Sequence, residues 1–135
     1  MKVALVTRHK LLPSQEEAIK KAGLEVVETI QQIPEKPEEL QKFVQELKQK
    51  GVEAILTVAL PPHLLAQLQR FFKILIFKME AIATVPQEQA EKLVAEAPHK
   101  RVALPGRPGE PFRVMEFKGI FEVKVVIEEK PIITV

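Results

Sequence analysis

Apolar runs and helical stripes alternate along the first hundred residues. Residues 2–7 (KVALVT) form a continuous apolar run of strand length. Ser14 and Glu17 make a capping-box pair that predicts a helix start, Ala18, Ile19 and Ala22 fall on its inner face, and Gly23 predicts its end. Residues 24–30 (LEVVETI) are rich in β-branched side chains and partly alternating, which reads as a strand. Beyond a proline turn at 34–37, Leu40, Phe43, Val44 and Leu47 stand at i, i+3, i+4 and i+7 and predict a helix that Gly51 closes. The run VEAILTVA (52–59) is a second buried strand, and Pro61-Pro62 opens a helix with Leu64, Leu65 and Leu68 inside. KILIFK (73–78) is a third short apolar run, followed by a helix over 87–97 that buries Ala90, Leu93 and Val94.

Strand and helix thus alternate four times, which predicts an α/β fold: a Rossmann-like, mainly parallel sheet flanked by helices and joined by right-handed crossovers. After the Pro/Gly cluster at 105–111 the helical period vanishes. Residues 112–134 read as strands, with a tight turn at Lys118-Gly119 between FRVMEF and IFEVKVVIE, and PIITV as a last strand. About 30 residues cannot bury a core alone. The expectation is therefore one Rossmann-like domain over 1–135, with βα repeats over 1–104 and a β-rich, antiparallel C-terminal extension over 105–135.

Composition narrows the chemistry. The chain has no Cys, Trp, Tyr, Asp or Asn, so all 18 acidic side chains are Glu. Disulfides and thiolate zinc clusters are excluded, and the usual Asp ligands of magnesium, the ribose-binding Asp of many dinucleotide folds and the Asp of a catalytic triad are missing. No metal and no cofactor are expected. A surface of Glu, Lys and Arg without Asn or Cys is the composition of a thermophile. The net charge of +2 is too small for a general duplex nucleic-acid binder, so any anion binding is local. No stretch approaches the roughly 18–20 uncharged residues of a membrane span, and the charged N-terminus is no secretory signal, which predicts a cytoplasmic protein.

In open α/β sheets, ligands collect beyond the carboxyl ends of the strands, where helix N-termini favour anions. Two segments fall there: residues 7–14 after the first strand and 59–63 after the third. Arg8, His9, Lys10 and His63 are expected to converge on a phosphate-sized pocket, with the Thr7 hydroxyl able to bond a phosphate oxygen. Each has a plainer role available. Arg8 and Lys10 serve equally as solvated loop charges, His9 as a turn-orienting side chain, His63 as a packing residue and His99 as part of a connection. Thr57 reads as a strand residue facing a helix. Ser14, the only serine, is explained by capping. GRPGE (106–110) matches neither the dinucleotide fingerprint nor the phosphate-loop lysine motif, so a nicotinamide enzyme and a nucleoside triphosphatase are both unsupported.

The strand ending in TRH, its helix opening with SQEE, and the later LPPHLLAQL together resemble the small Rossmann-like, CARF-related accessory proteins of type III CRISPR systems, a group that includes ring nucleases. The likeness is good over roughly the first 75 residues and loose thereafter, and it departs at Pro62 and in the length of the second helix. It implies an antiviral-defence protein that binds a cyclic oligoadenylate as a homodimer, with Thr7, Arg8, His9, Pro61, His63 and Leu64 at the ligand. It also implies, for part of the group, metal-independent cleavage of the ring, with Arg8, His9 and His63 as the catalytic candidates. Such a phosphodiesterase needs no Asp or Cys, because the ribose 2′-hydroxyl is the nucleophile and Arg, Lys and His stabilise the phosphate charge. The alternative is a thermostable α/β module that binds a nucleotide, an anion or a protein partner without chemistry.

Overall fold

The apolar run after Met1 forms β1 (Lys2–Val6), and its buried positions Val3, Ala4, Leu5 and Val6 put it at the heart of the sheet. The computed structural model describes residues 1–135. In chain order, β1 is followed by α1 (Pro13–Lys21), β2 (Glu25–Ile30), α2 (Pro37–Gln49), β3 (Ala54–Thr57), α3 (Pro62–Leu68), β4 (Lys73–Val85), α4 (Gln87–Glu96), β5 (Arg101–Leu104) and β6 (Phe112–Val123). All six strands form one mixed sheet in the order β2-β1-β3-β4-β6-β5. The β2-β1-β3-β4 half is parallel, and the β4-β6-β5 half is antiparallel. The fold is mixed α/β, with helices on both faces and its antiparallel half as extensive as its parallel half.

Both helix stops read from glycine hold. Gly23 and Gly51 have positive φ, and each helix closes with the paired bonds of a Schellman turn: Leu24 N–H to Ile19 O and Gly23 N–H to Lys20 O in α1, Val52 N–H to Leu47 O and Gly51 N–H to Lys48 O in α2. The start of α1 differs from expectation. The helix opens at Pro13, Gln15 Oε1 accepts the Leu12 N–H at 2.9 Å, and the Ser14 hydroxyl is buried without a hydrogen-bond partner. Gln15, two residues before Glu17, therefore closes the cap, because with Pro13 at the first helical position the cap falls at Leu12, two residues before Ser14.

The C-terminal third departs most. Lys118-Gly119 is not a hairpin turn: residues 112–123 are one continuous strand, and the Lys118-Gly119 pair is a bulge opposite Lys78 and Met79. The run at 73–78 is the first half of a 13-residue strand, and β4 and β6 pair along nearly their whole lengths. The short strand RVAL at 101–104 covers the start of β6. Residues 124–135, including PIITV, form no strand, because Val123 pairs with Ile74 at the very start of β4 and no neighbouring backbone continues beyond it.

Strand alternation divides the core in two. Ala4, Val6, Ile55 and Ile74 face α2 and α3, where Leu40, Val44, Leu47, Leu64, Leu68 and Phe72 fill the layer. Val3, Leu5, Ala54, Leu56, Leu75, Phe77 and Phe117 face the α1 side and pack on Ile19. Each buried aliphatic or aromatic side chain contributes about 1.5–3 kcal/mol. The sheet is thereby fixed between two apolar layers, and the loops after β1, β2 and β3 are held at one rim. No helix is long and apolar enough to cross a membrane.

Candidate functional site

The parallel register sets Val6 beside Thr57, so β1 and β3 end level with each other. Their outgoing loops, joined by the loop after β2, enclose a cleft of about 400 Å³. Thr7, Arg8 and His9 form one wall, residues 57–61 with Leu64 a second, and Gln31, Gln32, Ile33 and Glu35 the third. A hydroxyl turn shapes the first loop: Thr7 Oγ1 accepts the His9 N–H at 3.1 Å and donates to the His9 carbonyl at 3.0 Å. That turn projects Arg8 to the cleft side, where its Nη2 donates to Gln32 Oε1 at 3.1 Å. Thr57 repeats the device more loosely at the end of β3, its buried hydroxyl 3.5 Å from the Ala59 carbonyl.

Of the residues singled out in the sequence, Thr7, Arg8, His9, Pro61 and Leu64 share this cleft. Lys10 and His63 do not line it. Lys10 borders a neighbouring cavity of about 410 Å³ whose walls are largely apolar, with Leu11, Leu12, Met79 and Met115 among them. His63 is exposed on the first turn of α3, its Nε2 3.8 Å from Glu35 Oε1. His63 follows Pro62, the first residue of α3, and approaches Glu35 in the loop after β2, while the buried Leu64 lines the cleft. His99 contributes its backbone alone to a contact here, its carbonyl accepting the Ser14 N–H at 3.1 Å.

The helix N-termini are not the anion sites expected of them. In α1 the Leu12 N–H is taken by Gln15, the Ser14 N–H by His99 O, and Pro13 has none. Pro61 and Pro62 remove two donors from the start of α3, and Glu38 and Glu39 already offset the dipole of α2. The open donors lie instead in the loops. The backbone N–H groups of Arg8, Val58, Ala59 and Leu60 make no hydrogen bond within the chain, and all four residues line the cleft. With the Arg8 guanidinium, these residues give the cleft wall charged and neutral donors, the kinds of group that hold a phosphate oxygen. No three His or Glu side chains stand close enough to ligate a metal ion.

The sequence reading missed the wall formed by Gln31, Gln32, Ile33 and Glu35. QQIPEKP carries only a turn signal, yet β2 runs parallel to β1 and so delivers its loop to the same rim. Arg8 and His63 are each bound to that loop, at Gln32 and Glu35 respectively, and not to each other. No family model matches the chain, and neither a curated protein nor a solved structure matches it.

Proposed function

We propose that the chain binds the phosphate of a small nucleotide in the cleft after β1, β2 and β3, and that its ligand is a cyclic oligoadenylate, as the TRH and LPPHLLAQL segments imply. The observation that carries the binding reading is that Arg8 lines one cleft together with Val58, Ala59 and Leu60, all four with backbone N–H groups that make no hydrogen bond within the chain. The adjoining apolar cavity shares Thr7, His9 and Val58 with the cleft, which favours a phosphate attached to a flat apolar ring over a bare inorganic anion. The parallel β2-β1-β3-β4 half, with its cleft at the carboxyl ends, supports the Rossmann-like assignment on which the CRISPR-linked reading depends.

Ring cleavage is the narrower reading. In it, Arg8 neutralises the phosphate while His9 takes the proton of the ribose 2′-hydroxyl as that oxygen attacks phosphorus and returns it to the 5′-oxygen as the P–O5′ bond breaks, leaving a 2′,3′-cyclic phosphate. His63, exposed beside Glu35 and outside the cleft, has no part at such a phosphate, which favours the non-catalytic alternative, a nucleotide- or anion-binding module. Titration calorimetry with cyclic tri-, tetra- and hexa-adenylate, adenosine monophosphate and inorganic phosphate tests binding, and product separation without added metal tests cleavage. The expected result is tight binding of one cyclic oligoadenylate, weak binding of inorganic phosphate and at least tenfold loss on Arg8→Ala. Equal affinity for every probe, or no effect of Arg8→Ala, overturns the reading.

A further inference from the structure

The last ten residues leave an unusual amount of apolar surface in water. Val126, Ile127, Ile132, Ile133 and Val135 are between 77% and 121% exposed, although all are β-branched side chains that ordinarily pack. The segment is firmly held at its root. The Gln69 side-chain amide acts as a one-residue strand partner for Val125, donating from Nε2 to the Val125 carbonyl at 2.9 Å and accepting the Val125 N–H on Oε1 at 2.8 Å.

Beside that root lie two grooves with no occupant. One, about 550 Å³, separates residues 69–74 from residues 122–126, and the other, about 500 Å³, runs between α2 and α3 past Leu40 and Val44. Arg70 and Phe71 border both, and Phe71 is 48% exposed. Arg70 is the only charged side chain of the α2–α3 groove. The tail matches it in kind and order, with the acidic pair Glu128-Glu129 first and the apolar stretch Ile132-Ile133 after it.

We propose that residues 126–135 are an arm exchanged between two copies of this chain, each arm lying in the other copy's groove with Glu128 or Glu129 against Arg70 and Ile132-Ile133 over Phe71, Leu40 and Val44. A second copy is the occupant because exit and acceptor adjoin: Val125 is fixed to Gln69, and Arg70 and Phe71 follow Gln69 directly. A two-fold axis at that point carries each arm onto its partner and closes the pair. Val126 borders the first groove of its own chain, but residues 126–130 (VIEEK) carry neither Gly nor Pro to fold the acidic pair back over Arg70 before Pro131. The free edge of β2 is a poor acceptor, since it carries Glu25 and the Glu28–Lys50 ion pair. Val123 and Ile74 meet at the amino end of β4, whereas the ligand cleft lies beyond the carboxyl ends of β1 and β3. The exchange therefore stands independently of the ligand proposed for the clefts.

Sedimentation equilibrium on four purified forms tests the exchange. The intact chain is expected to be a dimer. A chain ending at Val125, the full chain with Phe71→Glu, and the full chain with Ile132→Lys and Ile133→Lys are each expected to be monomeric, with unchanged circular dichroism. Mixing the Phe71→Glu chain with the chain ending at Val125 restores one arm–groove contact and is expected to yield a heterodimer, at least tenfold weaker than the intact dimer. A monomeric intact chain, a dimer that survives loss of the arm, or a mixture that stays monomeric each overturns the proposal.

Discussion

Arg8 Nη2 donates to Gln32 Oε1 across 3.1 Å, tying the loop after β1 to the loop after β2 over the mouth of the cleft. The guanidinium keeps its remaining donors, so Gln32 positions the group without neutralising it. Arg8→Ala is expected to cost about 1.5–3 kcal/mol of nucleotide affinity, roughly 10- to 100-fold, and to flatten the salt dependence of binding. Gln32→Ala, which leaves the charge in place but frees it to swing, is expected to cost less and to keep the salt dependence. Calorimetric titrations at two ionic strengths separate the two. Equal losses with equal salt slopes would assign Gln32 a direct ligand contact.

Phe77 is the largest fully buried side chain, 1% exposed on β4, with its ring edge-on to Phe117 at a centroid distance of 5.8 Å and an interplanar angle of 67°. That pair links the parallel half of the sheet to β6. Phe77→Ala is expected to cost about 3–5 kcal/mol, from lost transfer energy and the cavity left between Leu5, Leu75 and Phe117. Since small domains hold only about 5–15 kcal/mol, the urea midpoint should fall by roughly a fifth or more. A fall below about 1 kcal/mol would show that α1 closes onto the vacated space.

The parallel half was legible because its signals are local. KVALVT and VEAILTVA are apolar on both faces, as strands covered by helices must be, and the glycines that end α1 and α2 sit where the helical stripes stop. The antiparallel half was not, because its order is set by pairing. MEAIATV is interrupted by Glu80 and carries two small alanines where KILIFK has four consecutive large apolar residues, yet it extends β4 because β6 offers it a full-length partner. KVVIE (124–128) continues the Val123, Val125, Ile127 series and forms no strand, because β4 starts at Lys73. For the candidate site, sequence placed both loops beyond the carboxyl ends of their strands, where the parallel register of β1 and β3 sets them side by side. The direction of His63 depends on how Pro61 and Pro62 open α3, which no spacing rule records.

Gly119 carries the bulge that replaced the expected hairpin. Its φ is +142°, and a Cβ there would stand 3.4 Å from Phe121 Cε1. Gly119→Ala is expected to destabilise the chain by about 1–3 kcal/mol, through a backbone conformation that L side chains avoid and a contact the Phe121 ring must yield to. Equilibrium denaturation gives the magnitude, and backbone chemical shifts give the location, at Lys78, Met79 and Phe121. No loss of stability would mean that the strand re-registers across the bulge, with shifts spread along β4.

Glu116 is a buried carboxylate on β6 surrounded by cations from three positions. Lys118 Nζ bonds one oxygen, while Arg101 Nε at 3.1 Å and Lys100 Nζ at 3.4 Å approach the other. Arg101 reaches on to the Leu93 carbonyl at 2.8 Å and to Glu96 at 3.0 Å, fastening α4 to β5. Hydrogen bonds from Lys118 and then Arg101 outweigh the effect of burial and pull the Glu116 carboxyl down to about 2, while the Lys118 ammonium is held above its usual range by the same bond. The sign follows from proton binding. Between about pH 4.5 and about 2 the unfolded chain takes up a proton that folded Glu116 refuses, so this contribution to stability is complete above that window and drains away as pH falls through it. Glu116→Gln should lower the melting temperature at neutral pH, where Lys100, Arg101 and Lys118 lose their shared counter-charge, and should flatten the decline across the acid window. Thermal unfolding of both chains from pH 7 to 2 measures the gap, which is expected to narrow steadily as the acid end is approached. Parallel curves would mean that Glu116 ionises in the folded protein as it does in the unfolded chain, and that its three cationic neighbours are held by their other contacts.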